Sequence, residues 1–291
     1  MSTFVQLVLR SLETGSIYSL AALGIIIIYR TSNITHFAQG AMGMFNTFVV
    51  TFLFTTAGMP LWLAIIGGMV SALITGFTVD FVIIRHTKKV SPVAKQIITL
   101  GLIMIFVGVT PFLFGVDPLN LPQLIPTGSL PVAGASISFN GILNIGFGLS
   151  VMAVLFYVLQ RTKWGLAIRT TASNEFTARL MGVPTKTVTM VAWAVAAVLG
   201  VLAGVMTAPF TSVTLNLMDG VQLNALIACV LGGFQTFYGP VLGAYIIGIA
   251  KNLLVYYVSS VWGEQLLYLG ILIFIVFRPY GLIGKKIVKK V

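Results

Sequence analysis

The side chains able to do chemistry are few and scattered. His36 and His86 are the two histidines, Cys229 is the one cysteine, and Glu13, Asp80, Asp117, Glu175, Asp219 and Glu264 are the six acids. Nucleophilic catalysis needs a nucleophile, a base and an orienting acid, and a metal site needs three or four ligands at supporting spacing. Neither pattern occurs. Cys229 lies in the apolar run LNALIACVLGG, where a small buried residue is expected, and a single cysteine excludes an intramolecular disulfide framework. The one Gly-Lys pair, Gly284–Lys285, lacks the upstream glycine and the following hydroxyl of a phosphate-binding loop. No enzyme activity, bound metal or cofactor is therefore expected of this chain.

A second set of polar residues gathers at two interruptions of otherwise apolar sequence. NITHFAQGAMG (33–43) carries Asn33, His36 and Gln39, with Asn46 just beyond, and GGFQTFYGPVLG (232–243) carries Gln235, with Asn224 upstream. Uncharged amides can line a path for a polar or zwitterionic solute without the cost of burying a charge. Equally, each can satisfy broken backbone or join two helices by a hydrogen bond. His36 reads as a helix-boundary anchor, with a proton-sensitive gate as the alternative. Gly40, Gly232, Gly233 and Gly239 mark the interruptions, which lipid does not tolerate but a protein-lined cavity does. Two discontinuous helices point to a permeation path. Gly200 with Gly204, and Gly239 with Gly243, have the four-residue spacing that lets helices approach closely, and the likeness of FNTF (45–48) to FQTF (234–237) reads as chance.

The elements that must position these residues are membrane helices. Hydrophobic residues make up 58% of the 291, charged residues 8%, and the mean hydropathy is +1.03, against about a quarter charged in soluble proteins. Apolar segments run over 15–29, 37–55, 61–84, 97–114, 139–159, 188–208, 221–233, 241–258 and 266–277. They are continuously apolar, so helices fit and a barrel does not. The expectation is an all-α, polytopic inner-membrane bundle of about eight to nine spans, including short or broken helices, forming one domain over 1–291. The 221–233 segment is too short to cross about 30 Å of hydrocarbon unaided. The first segment reads as a retained span, because Arg30 closes it and no cleavage pattern follows.

The charge of +11 reads as topology, with no nucleic-acid partner implied. Arg85, Lys88, Lys89 and Lys95 form one cluster, Arg161, Lys163, Arg169, Arg179 and Lys186 a second, and Arg278, Lys285, Lys286, Lys289 and Lys290 a third. Each follows an apolar segment, as expected of cytoplasmic ends. If all nine segments cross, the N-terminus lies outside and the C-terminus is cytoplasmic. None of the acids is placed as a midplane proton or sodium site, so the energy for active transport is expected from another polypeptide.

The longest polar interval, RTKWGLAIRTTASNEFTARLMGVPTK (161–186), is too patterned for a simple connection. It predicts one short amphipathic helix, with Ser173 as cap, Glu175 in the first turn, Gly182 in the left-handed position after the last turn and Pro184 as the stop. Phe176, Leu180 and Val183 share a face while Arg179 projects elsewhere. An apolar face on a water-side loop needs a partner: the protein's own spans, the lipid interface or another subunit.

GSIYSLAALGIIIIYRTSNITHFAQGAMGMF (15–45), VSPVAKQIITLGLIMIF (90–106), WGLAIRTTASNEFTARLMGVPTKTV (164–188) and LNALIACVLGGFQTFYGPVLGAYIIGIAKNLL (223–254) resemble, in order, the branched-chain amino acid type permeases of bacterial ABC importers. The resemblance implies that 161–187 is the cytoplasmic coupling loop, whose short helix sits in a groove of the ATPase subunit. Aligned on Gly182, Phe176 takes the place of the usual motif glutamate, Thr177 that of the first alanine and Ala178 that of the second, with Glu175 one residue earlier as a substitute. Ser173, Asn174, Glu175, Phe176, Ala178, Arg179, Leu180 and Gly182 are then the coupling residues. The implied partners are a homologous second permease, two ATPase subunits that use ATP and magnesium, an external solute-binding protein and membrane lipid. The implied cargo is a branched-chain or other hydrophobic amino acid, with urea or a short amide as the alternative within the class. A stand-alone channel or secondary carrier for small neutral solutes is the alternative outside it.

Overall fold

The computed structural model describes residues 2–87, 90–125, 127–132 and 134–284. Lys88, Lys89, Lys285, Lys286, Lys289 and Lys290, named above in the basic clusters, lie outside the described residues. The elements run α1 (Ser2–Ser32), α2 (Gln39–Thr55), α3 (Leu61–Thr78, continued by a π-helical turn and a 3-10 turn to His86), α4 (Pro92–Phe114), β1 (Ser129–Val132), β2 (Ala135–Ser138), α5 (Phe139–Arg161), α6 (Lys163–Ser173), α7 (Glu175–Leu180), α8 (Thr185–Thr207), α9 (Asp219–Gly232), α10 (Tyr238–Tyr257) and α11 (Gly263–Phe277). α1, α3, α4, α5, α8 and α10 are long and apolar enough to cross a membrane, and α9 and α11 are shorter apolar helices. The nine apolar segments thus become nine helices, in order.

α1 is the axis. Its stretch Leu20–Ile28 is apolar all round, and apart from Gly24 every residue in it is a buried member of the core, as a helix without a polar face must be. It packs against α5, α8, α9 and α10, while α8 also receives α2 and α3. Close approach is achieved with small residues: a side chain at Gly43 would meet the Gly200 carbonyl at 2.8 Å, and one at Gly204 would meet Thr47 Oγ1 at 2.1 Å. By contrast α4, α5 and α11 turn Met104, Phe112, Val154, Leu272 and Phe277 outward, an apolar belt suited to lipid.

Two features differ from the sequence expectation. α1 begins at Ser2, thirteen residues before the apolar segment, because 2–14 contains no glycine or proline and is held by Gln6 donating to the Ser136 carbonyl and by Asn144 donating to Glu13. The loop after α4 contains a small antiparallel hairpin, β1 with β2, that pairs Ser129 with Ser138 and Val132 with Ala135. The two four-residue likenesses are not equivalent: 45–48 lies inside α2 and 234–237 lies between α9 and α10.

Successive helices alternate in direction and sort the loops onto two ends. Three cavities at one end are lined by Arg30, Arg85, Lys95, Arg161, Arg169 and Lys186, together with α6 and the start of α7; this is the basic end. The other end carries the start of α1, the hairpin and the bridge between Leu119 and Val213.

Candidate functional site

At the basic end the polar interval folds as two helices where the sequence predicts one. Thr162 caps α6 by accepting from the Gly165 backbone N–H at 3.1 Å. Gly165 itself is required by packing, since a side chain there would lie 2.3 Å from the carbonyl oxygens of both Val158 and Leu159. α6 ends at Ser173, so the cap of α7 is Asn174, whose Oδ1 accepts from the Thr177 N–H at 3.1 Å; the expectation that Ser173 caps is corrected. An amide at this position offers the acceptor as well as a hydroxyl does, and Ser173 is already consumed as the last helical residue of α6. The other end of α7 follows expectation: Gly182 has φ +80°, its N–H reaches the Arg179 carbonyl, and the Val183 N–H reaches Ala178.

The orientation of α7 decides what it can do. Ala178 is the inward residue, 2% exposed, and Arg179 ties the helix down by donating from Nε to Thr185 Oγ1 at 2.8 Å and pairing with Glu175 one turn earlier. Phe176, Leu180 and Met181 are 71%, 73% and 76% exposed. Of the three partners weighed for this apolar face, the chain's own spans are thus not its cover. Val183, expected on that face, packs partly against the core instead, and Met181, which the spacing argument passes over, takes its place.

α7 stands beside both helix interruptions. A cavity of about 610 Å³ is lined by Ser173, Asn174 and Glu175, by Asn33 at the end of α1, by Gly233 and Gln235 between α9 and α10, and by Pro279 and Tyr280. Glu175 also lines a small neighbouring cavity of about 50 Å³ with Lys95, Lys186 and the pair of buried Asp80 with partly exposed Arg85. The basic-side ends of α1, α3, α4 and α8 and the second break therefore all converge on the first turn of α7.

The polar residues of the interruptions divide. Asn33 and Gln235 line the large cavity. His36, Gln39, Asn46 and Asn224 are buried in packed contacts: Gln39 donates to the Ala196 carbonyl at 2.6 Å, Asn46 to the Met42 carbonyl and to Thr75, Asn224 to the Gly220 carbonyl, and the His36 ring stands edge-on to Trp193 at 4.5 Å. Among the glycines, Gly233 (φ +90°) is the break proper. Gly232 and Gly239 are mutual contacts, a side chain on either meeting the other's carbonyl at 2.0 or 2.4 Å, and Gly40 lies against Gln222.

Two polar groups escaped sequence reasoning. Gln222 on α9 accepts from the Gly40 N–H at 2.7 Å and donates to the His36 carbonyl at 3.3 Å, satisfying the backbone of the first break from a distant helix. Lys251 of α10 pairs with Glu264 of α11 at 2.7 Å, and Glu264 also accepts from Tyr268. Thirteen residues and a turn separate that pair, so no local spacing reveals it.

A conserved-profile comparison places residues 7–276 in the family described as branched-chain amino acid transport system / permease component. The chain belongs to that family. Relatives include a probable branched-chain amino acid transport permease protein LivH of Methanocaldococcus jannaschii, 27% identical over 94% of this chain and 91% of that one. The high-affinity branched-chain amino acid transport system permease protein LivH of Escherichia coli K12 is 25% identical over 99% and 98%. The autoinducer 2 import system permease protein LsrC of Salmonella choleraesuis is 28% identical over 93% and 78%. As a member of this permease family the chain is a multi-pass, helical transport subunit of an ABC-type import system of the inner membrane, working with ATPase and solute-binding partners, and is not itself an enzyme.

Proposed function

We propose that this permease subunit carries branched-chain or other hydrophobic amino acids inward, that its basic end is cytoplasmic, and that α7 is the helix through which two ATPase subunits drive it. The observation that carries the reading is the exposed triad Phe176, Leu180 and Met181 on a helix anchored by buried Ala178. An apolar knob held at a fixed angle at the basic end suits a groove in a soluble partner, and neither water nor the chain itself accounts for it. The coupling set is Ser173, Asn174, Glu175, Phe176, Ala178, Arg179, Leu180 and Gly182, with Met181 added. In this reading Glu175, half exposed and lining both neighbouring cavities, transmits motion, and the contact with the ATPase is apolar.

ATP-driven closure of the ATPase pair would then move α7 and, through the shared cavity, the end of α1 and the 233–237 break. The path for solute would follow Asn33, His36, Gln39, Asn46, Asn224 and Gln235. Four of these are sealed in helix contacts here, so passage requires α2 to part from α8 and α9. A homologous second permease supplies the other wall. The amino-acid cargo rests on the names of the LivH relatives, and selection of the solute falls largely to the binding protein.

The decisive test is co-purification with the candidate ATPases of wild type and of Phe176→Asp with Leu180→Asp. Both side chains are exposed, so the variant is expected to insert and melt as wild type does while losing ATPase association at least about tenfold, the scale expected when two anchors at an interface centre are removed. Association unchanged in a stably inserted variant would end the coupling assignment. Sidedness is tested separately by thiol labelling in a Cys229→Ala background: a cysteine at Ser129 should react from outside and one at Ser173 from inside, and the reverse pattern would invert the topology.

A further inference from the structure

The groove between the basic ends of α5 and α10, floored by α1, holds a cavity of about 410 Å³ that coupling does not use. Three arginines line it from three helices: Arg30 on α1, Arg161 on α5 and Arg169 on α6. All six acids of the chain lie among the described residues, and none lines this cavity. The ion pairs among the described residues are Asp80–Arg85, Glu175–Arg179 and Lys251–Glu264, so the three guanidinium charges in the cavity are not neutralised by a carboxylate contact. Arg30 is the fixed one: it donates to the Gln235 carbonyl, lies 5.3 Å over the Phe237 ring, and keeps a buried Nε without a partner. Arg169 reaches backbone carbonyls only at 3.4 and 3.5 Å.

Guanidinium groups converging from separate elements suit an oxyanion, and arginine's fork matches phosphate oxygens in particular. The rest of the wall decides which phosphate. Phe156, Leu159 and Phe237 make it apolar, and Tyr238 on its rim and Val154, Tyr157 and Leu242 on the same two helices, α5 and α10, are exposed apolar or aromatic side chains. A free anion has no use for that apolar surface; an amphiphile does. Basic pockets between spans, at headgroup depth, are where anionic lipids bind.

We propose that this cavity binds the phosphodiester headgroup of an anionic phospholipid, with the acyl chains laid along α5 and α10. The occupant would bridge α1, α5, α6 and the 235–237 break. The site does not depend on α7 coupling to an ATPase, so failure of one reading leaves the other standing.

The permease, purified with its partner subunits and delipidated in detergent, is offered phosphatidylglycerol or phosphatidylcholine with matched chains, and bound lipid is counted by native mass spectrometry. Phosphatidylglycerol is expected to be retained at one per permease chain. Arg161→Gln with Arg169→Gln should weaken retention about thirtyfold, from the usual contribution of each basic residue near anionic lipid. Arg30 is left in place because it holds the break. Lys163→Gln removes a charge from the same segment without lining the cavity and should retain lipid as wild type does. As a readout free of variants, phosphatidylglycerol should protect wild-type Arg161 and Arg169 from phenylglyoxal where phosphatidylcholine does not. Equal retention of the two lipids, or retention unaffected by the double substitution, overturns the proposal. Protection by inorganic phosphate alone, with no lipid retained, would assign the site to a free oxyanion and also overturn it.

Discussion

The chain interrupts its helices twice, and the two interruptions are built differently. After α1, Asn33 takes φ +55° with its N–H on the Tyr29 carbonyl, and residues 34–38 bring the chain back to the middle of the bundle, where the Gln39 amide lies against Gly24 and Ala196. That return is pinned from across the fold by Gln222, which holds both a carbonyl and an N–H of the break. After α9, Gly233 takes φ +90°, and the break is covered by the C-terminal segment, whose Leu282 N–H reaches the Leu231 carbonyl at 2.8 Å, and by Arg30 on the Gln235 carbonyl. Past Asn33, which lines the cavity of about 610 Å³, the first break is held mostly among buried side chains. The second opens on cavities of about 410 and 610 Å³.

The difference separates holding from moving. Backbone buried away from water must find protein partners, and those partners lock its position. Backbone beside a cavity can exchange partners with water and shift at small cost. The first break reaches the cavities beside α7 only at its start, Asn33 and Ile34, while the second opens on the larger of them through Gly233, Phe234 and Gln235. The second is the part of the spanning region placed to respond when α7 moves, while the first break, with His36 against Trp193, sets the closed core.

The largest effect is expected where the second break meets its own backbone. A side chain at Gly232 would lie 2.0 Å from the Gly239 carbonyl oxygen, and no rotamer relieves a clash with main chain. Gly232→Val should abolish stable, monodisperse protein on size-exclusion chromatography, whereas Gly40→Ala, which meets Gln222 Cβ at 2.9 Å and no main-chain atom closer than the Met218 carbonyl oxygen at 3.3 Å, should leave folded protein in reduced yield. Equal yields from the two would mean that the second break is looser than its glycines indicate.

Gln222→Met comes next. It keeps the shape of the side chain but orphans the Gly40 N–H and the His36 carbonyl in a buried place. The expected loss is about 2–3 kcal/mol of unfolding free energy by detergent titration, the usual scale for stranding buried polar groups, here reduced by the modest value of hydrogen bonds within membranes. A loss below about 0.5 kcal/mol would show that the first break is not held by Gln222.

How legible all this is in the sequence follows the same division. The nine helices are visible because lipid demands long apolar runs, and even the short α9 announces itself through Gly232, Gly233 and its length. Gly182 and Pro184 end α7 as local chemistry requires. What is hidden depends on tertiary placement. Gln222 looks like one more polar residue in an apolar helix until α2 is laid beside it. Lys251 and Glu264 sit on separate helices, and Met181 emerges only once Ala178 is known to face inward. The split between α6 and α7 falls at Asn174, one residue past the serine that satisfies the same rule, because local signals fix a cap only to within its neighbours.

The smallest effect belongs to Arg30→Gln. The substitution removes the donor to the Gln235 carbonyl and the charge over the Phe237 ring, but both face a cavity that admits water, so the stranded carbonyl is rehydrated. The expected loss of global stability is about 1 kcal/mol or less. Local opening should respond more, because the break loses the side chain that fastens it to α1. Amide exchange over 233–237 should quicken several-fold while exchange over 34–40, pinned by Gln222, stays at its wild-type rate. Faster exchange over 34–40 with 233–237 unchanged would reverse the roles of the two breaks and place the moving part beside His36.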